Sequence, residues 1–232
     1  MRRRLLLVTL ASFLVLAATL TSLAQRAGQP AAAPMRPPLF LSESWKPLPT
    51  PPDDHGAWPV SQGGVASPAL ELKLYGTSSR EIQLVAGRGG SDVTPTNLWT
   101  GTTTTPSAVA LRHRQNFVDL SVPLAKMKFV VRTSGFHQVR PVVKLANGNW
   151  LVGDRAIGPN GDFNDTEISV ADLKWIGLDI TRVVAVGNWI EKPDLSKVDE
   201  VGFADLMPGS GHGPGGYVNV GRIEVYGKPV KR

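Results

Sequence analysis

Three groups of side chains in this sequence have types and positions that could do chemistry. The first is a scatter of acids: Asp119, Asp154, Asp162, Asp165, Glu167 and Asp205. Two carboxylates held roughly 5–10 Å apart across a cleft can cleave a glycosidic bond, one giving a proton and the other acting as base or nucleophile. Asp119 and Asp205 fall in alternating stretches, on the side opposite the local apolar residues. Solvent-facing acids are the plainer expectation there.

The second group is an oxygen-rich run, "GPNGDFNDTE", residues 158–167. Its Asn, Asp and Glu side chains crowd hard oxygen donors into a glycine-containing segment that reads as a loop. Ca2+ favours such ligands, although the spacing is not that of an EF-hand. Asp162, Asp165 and Glu167 are the expected ligands if a structural Ca2+ is held. An Asx-rich turn is the alternative.

The third group is the tryptophans. A sugar ring stacks its C–H face on an exposed aromatic, while fork-shaped donors and carboxylates take its hydroxyls. Trp99, Trp150 and Trp189 each stand where a strand pattern ends, with Asp154, Arg155 and Asn188 within a few positions. These six residues are the expected ligand-binding set, and the ligand expected for them is a glycan. Rings that merely cap the edge of a core are the competing reading. Trp175, beside Ile176 and Leu178, reads as core, and Trp45 and Trp58 belong to a proline-rich stretch.

Other chemistries find little support. The chain has no cysteine, hence no thiol nucleophile and no disulfide. His55, His113, His137 and His212 lack the paired spacing of a zinc site. In "PGSGHGPGG", Ser210 and His212 sit among glycines, without the fixed turn that a nucleophilic serine needs.

These residues must be positioned by the rest of the chain, which divides by composition. Residues 1–24 open with three arginines, continue as an apolar run and close on Ser22-Leu23-Ala24, the pattern of a secretory signal peptide. The apolar run is about 16 residues, short of the ~20 that a spanning helix needs. A secreted or periplasmic product with no membrane span is expected. Removing this leader takes away three arginines and no acids, so the formal net charge falls from +6 to +3. That small charge, with no basic run interleaved with aromatics, gives no case for nucleic acid. Residues 25–67 are proline-rich and read as a linker, with Leu39-Phe40-Leu41 and Trp45 able to pin it as an edge strand. Residues 228–232 are a short basic tail.

Residues 68–227 read as one all-β domain. Period-two runs recur between turn signals. "LELKLYG" sets Leu70, Leu72 and Leu74 on one face, and "KMKFVVR" does so with Met127, Phe129 and Val131. In "VRPVVKLANGNWLVGD", two apolar runs flank Asn147-Gly148, predicting a hairpin with a type I′ turn. Pro141 in its first run predicts an edge or bulged strand. Helix is confined to one turn in "ISVADLKWIG", with Ser169 as N-cap. Many short strands and little helix predict an antiparallel β-sandwich, of jelly-roll type.

The stretch "DLSKVDEVGFADLMPGSGHGPGGYVNVGRIEVYG" resembles the closing strands of galactose-binding-like β-sandwich domains, a superfamily that includes many carbohydrate-binding modules. "FHQVRPVVKLANGNWLVGD" resembles their middle strands. The resemblance spans roughly Phe117–Gly227 and implies a jelly-roll sandwich and frequent glycan binding. Fold alone does not settle function. The first expectation is therefore an exported, non-catalytic carbohydrate-binding protein. A secreted sugar-active hydrolase, of glycosidase or keto-disaccharide hydrolase type, and an envelope structural or interaction module are the alternatives.

Overall fold

A computed structural model describes residues 35–49, 56–88, 94–206 and 216–232. Residues 1–24, His55, Ser210 and His212 lie outside them. The described residues form an antiparallel β-sandwich of jelly-roll type, in agreement with the sequence.

One sheet runs, in spatial order, β11 (Asn160–Ser169), β8 (Lys126–Ser134), β15 (Tyr217–Tyr226), β5 (Asn97–Trp99), β4 (Gln83–Val85) and β2 (Ala57–Pro59); β1 (Leu39–Glu43) also pairs with β15. This is sheet one. The other, sheet two, runs β13 (Val184–Ile190), β12 (Trp175–Asp179), β10 (Trp150–Gly153), β9 (Gln138–Leu145), β14 (Val198–Leu206), β6 (Ser107–His113) and β3 (Leu70–Tyr75). β7 (Asn116–Asp119) pairs with β14, and β16 (Lys228–Lys231) pairs with β7. The alternation read from the sequence sets the core: Met127, Phe129 and Val131 of β8 meet Val109, Val201 and Phe203 of sheet two, all buried. Full burial of each such side chain stabilises by roughly 1.5–3 kcal/mol.

The sandwich reaches beyond residues 68–227 at both ends. The proline-rich segment supplies β1 and β2, both at sheet margins, where a missing N–H costs least. Trp45 and Trp58 are buried. Glu43, 1% exposed, fastens this segment by accepting hydrogen bonds from the backbone N–H groups of Trp45 (2.9 Å), Ala66 (2.7 Å) and Ser67 (3.1 Å). The basic tail supplies β16.

The central strands of sheet two are buried on both faces. Its outward face carries Ala108, Ala110, Val142, Val152, Ala204 and Leu206, packed with Trp150, Leu178 and Val183 into a second apolar cluster. The sheet curls so that the β12–β13 turn reaches the far end of β3: a Cβ on Gly76 would stand 3.0 Å from Val183 Cγ2. Val183 holds φ +53 there, unusual for a β-branched residue, with its side chain fully buried. Tyr75 closes one end of the cluster. Its ring meets Trp150 edge-on at 4.8 Å, and its hydroxyl donates to Glu200 Oε2 at 2.7 Å. Lys144 Nζ donates to Glu200 Oε1 at 2.9 Å.

Four local expectations need correction. The hairpin at Asn147-Gly148 forms, but Asn147 lacks the positive φ of a type I′ turn. Leu145 N donates to Asn149 O and Gly148 N to Leu145 O, so the loop has three residues, with Gly148 at φ +90. Pro141 lies on β9 between β10 and β14, not at an edge. Residues 160–169 are strand β11 rather than a loop. The expected helical turn is a single 3-10 turn, Val170–Asp172, and the Ser169 side chain makes no cap bond there.

Candidate functional site

The solvent face of sheet one carries a cavity of about 460 Å³ lined by Ala57, Gln83, Val85, Trp99, Arg132, Tyr217 and Asn219. Strand register explains why these residues meet. Gln83 pairs with Trp99, Trp99 with Asn219, and Asn219 with Arg132. One rung therefore crosses β4, β5, β15 and β8, presenting amide, indole, amide and guanidinium in turn. Adjacent strands stand about 4.8 Å apart, so the rung is of oligosaccharide dimensions.

Each group on the rung is held. The Trp99 indole lies on Gly101, where any Cβ would overlap the ring. That contact folds the threonine segment back under Trp99. Thr100 is buried, donating to Asp205 Oδ2 at 2.5 Å and accepting from Val218 N at 3.0 Å. Thr102 donates to Glu81 O at 2.6 Å, and Thr103 to Thr100 O at 2.8 Å. Arg132 Nε and Nη2 both donate to Asn219 Oδ1, at 3.4 and 3.3 Å. Asn219 Nδ2 donates to Asn97 Oδ1 at 2.7 Å, and Asn97 Nδ2 to Pro95 O at 2.9 Å. The guanidinium carbon lies 5.3 Å from the centre of the Phe163 ring and 5.5 Å from that of Tyr217. Beyond Tyr217 a shallower depression of about 310 Å³ continues past Thr133, Ser134 and Asn160. The face offers two aromatic planes, Trp99 and Tyr217, with forked polar groups between them.

The structure does not bring the six expected ligand residues together. Trp99 alone stands on sheet one. Trp150 is 8% exposed and packs on the outward face of sheet two under Lys144 Nζ, 5.9 Å from its ring centre. Trp189, 52% exposed, and Asn188 lie on the marginal strand β13. Asp154 clasps the β10–β12 connection: its Oδ1 accepts from Lys174 N at 3.0 Å and its own N–H donates to Lys174 O. Arg155 follows it, exposed.

The acids are also dispersed. Asp205 is buried rather than solvent-facing, on the face shared with Phe203, and its Oδ1 lies 2.8 Å from His137 Nδ1. Asp119 accepts from Ser121, Asp165 pairs with Arg222 at 3.2 Å, and Glu167 pairs with Lys126 at 2.8 Å. Asp162 accepts from Phe163 N. Asp162, Asp165 and Glu167 are not gathered about one point, and among the described residues no three His, Asp or Glu side chains form a metal cluster. No helix among them is long and apolar enough to cross a membrane.

Arg132, Tyr217, Asn219, Gln83 and Phe163 were missed. Alternation in "KMKFVVR" and "YVNV" does put Arg132, Tyr217 and Asn219 on a solvent face. Only the pairing of β15 with both β5 and β8 makes them neighbours.

No family model matches the chain. No curated protein matches it. Among solved structures it is similar to the family 11 carbohydrate-binding module of the cellulosomal cellulase Lic26A-Cel5E of Clostridium thermocellum, at 14% identity over 85% of this chain and 96% of that one, with a TM-score of 0.37. A family 11 module from Clostridium thermocellum in complex with a β-1,3-1,4-mixed-linked tetrasaccharide is similar at 13% identity over 83% and 99% of the two chains, with a TM-score of 0.38. An exo-β-agarase is similar at 15% identity over 72% of this chain and 24% of the agarase, with a TM-score of 0.41.

Proposed function

We propose that this protein is an exported, non-catalytic oligosaccharide-binding β-sandwich whose ligand lies across the outer face of sheet one. The rung Gln83–Trp99–Asn219–Arg132, flanked by Tyr217, carries the reading. It pairs aromatic planes for sugar C–H faces with amide and guanidinium groups for hydroxyls, in a cavity whose shape is set by strand register. Continuation of the cavity past Tyr217 suits several linked sugars rather than one. Among the described residues the cavity lining includes no carboxylate, which favours binding over glycosidic hydrolysis. The arginine-rich leader supports export.

The test is a glycan array with the full chain and the variants Trp99→Ala and Tyr217→Ala, each checked by thermal melting. Loss of one stacked ring should weaken binding several-fold, since such contacts contribute about 1 kcal/mol. Binding that survives both substitutions unchanged would remove the ligand from this face.

A further inference from the structure

The surroundings of Arg132 specify more than a sugar hydroxyl. Among the described residues, arginines 112, 114, 182, 222 and 232 each pair with an aspartate or glutamate, whereas arginines 36, 80, 88, 140 and 155 do not; Arg132 is set apart by lying in the cavity between two rings. Arg132 has no carboxylate within ion-pair distance among the described residues; the oxygen it reaches belongs to the Asn219 amide. An amide accepts the hydrogen bonds without neutralising the charge. Both bonds come from the side edge of the guanidinium, Nε and Nη2. Among the described residues nothing takes the end edge, where Nη1 and Nη2 each present an N–H. Phe163 and Tyr217 flank the group, and the Asn219–Asn97–Pro95 relay fixes its orientation. A planar, oriented fork of two parallel donors is complementary to a carboxylate, which it binds bidentately. A neutral sugar hydroxyl can use only one of those donors well.

We infer that the site selects an acidic saccharide, and that Arg132 receives a uronic acid carboxylate through its end edge while Trp99 and Tyr217 carry the sugar faces. This rests on the oligosaccharide-binding reading and narrows it to a ligand class. Inside a partly apolar pocket the charge pair is shielded from solvent more than on an open surface, so discrimination against an uncharged sugar is substantial.

The experiment titrates the full chain with uronate oligosaccharides of the galacturonate, mannuronate, guluronate and glucuronate types, and with the same oligosaccharides after reduction of each carboxyl to a primary alcohol. Sulfated galactan oligosaccharides form a third arm. At least one uronate should bind about tenfold or more tighter than its reduced counterpart. In Arg132→Met that ratio should collapse towards one, and in Arg132→Lys, which keeps the charge but loses the fork, it should fall to an intermediate value. Equal affinity for acid and reduced forms in the native chain overturns the inference and leaves the oligosaccharide reading standing. So does preference for the sulfated arm over every uronate. Failure to bind any member of a broad neutral and acidic panel removes the oligosaccharide reading itself.

Discussion

Arg140 takes the place of a backbone donor that Pro141 lacks. Its Nε and Nη2 donate to Gly153 O at 2.9 and 2.6 Å. In the β9–β10 ladder the hydrogen-bonded pairs fall on odd positions, as the bond from Leu145 N to Asn149 O shows. The next such pairs are Val143 with Leu151 and Pro141 with Gly153. The second has no N–H to give, so Gly153 O would be stranded inside the sheet. The side chain one residue earlier fills the gap, which is how a proline sits on an interior strand. Burial draws the Arg140 guanidinium below its ordinary pKa and Asp154 opposes the shift, yet arginine stays charged at any physiological pH.

The consequence is a coupling between neighbours. Arg140→Ala should cost about 1–3 kcal/mol, the penalty for a buried carbonyl left without a donor. Adding Pro141→Ala restores the N–H and should recover about 1 kcal/mol of that loss. Urea denaturation of the two single variants and the double variant measures the cycle. Strict additivity would refute the replacement.

Gly101 makes room for the Trp99 ring. Gly101→Ala should therefore overpack the site and destabilise the chain by about 1–3 kcal/mol. Tryptophan fluorescence should shift as the indole is displaced, and glycan affinity should fall with it. An unchanged spectrum and unchanged melting would mean that the loop does not rest on the ring.

The two sheet-two tryptophans should separate cleanly. Trp150→Ala removes a buried ring and should cost about 3–5 kcal/mol. Trp189→Ala removes an exposed one and should stay within about 0.5 kcal/mol. Melting curves of both variants decide, and similar losses at the two positions would contradict the burial difference.

Tyr75 supplies a pH marker. Burial, and then the hydrogen bond from its hydroxyl to Glu200, push the phenol far above its usual range. The fold thus favours the neutral phenol. The stability this confers is complete below the ordinary tyrosine pKa of about 10 and is lost as pH climbs above it. Alkaline titration followed by phenolate absorbance should show one of the three tyrosines ionising only with unfolding, and Tyr75→Phe should abolish that step. A late step that persists in Tyr75→Phe would assign it elsewhere.

Asp165 and Glu167 are charge-matched by Arg222 and Lys126. A chelator should consequently leave the melting temperature unchanged. A fall on chelation would show that these acids hold a cation despite their basic partners.

What was readable in the chain and what was not divides along sequence distance. Alternation in "KMKFVVR" assigned every side chain of that strand to its correct face, because a strand's period is local. The site was not readable, because Arg132 and Asn219 are 87 residues apart and meet only through register. Trp150 misled for a different reason. "WLVGD" is apolar on both sides, as strands dry on both faces are, so no alternation marks which way the ring turns. The oxygen-rich run read as a loop because Gly and Asx residues disfavour strands. Pairing with β8 along most of its length overrides that weak preference.

The second apolar cluster sets the order in which the molecule opens. Strands β6, β9, β10 and β14 carry buried side chains on both faces over most of their length, whereas the outer face of sheet one carries the part-exposed Trp99, Arg132 and Tyr217. Amide protons of the doubly enclosed strands should exchange only through global unfolding, and those of sheet one through smaller, cheaper openings. The rung proposed to hold the ligand therefore lies on the layer expected to breathe. Occupancy of the site should slow exchange across β4, β5 and β15 while leaving the rates of β14 close to those of the free chain.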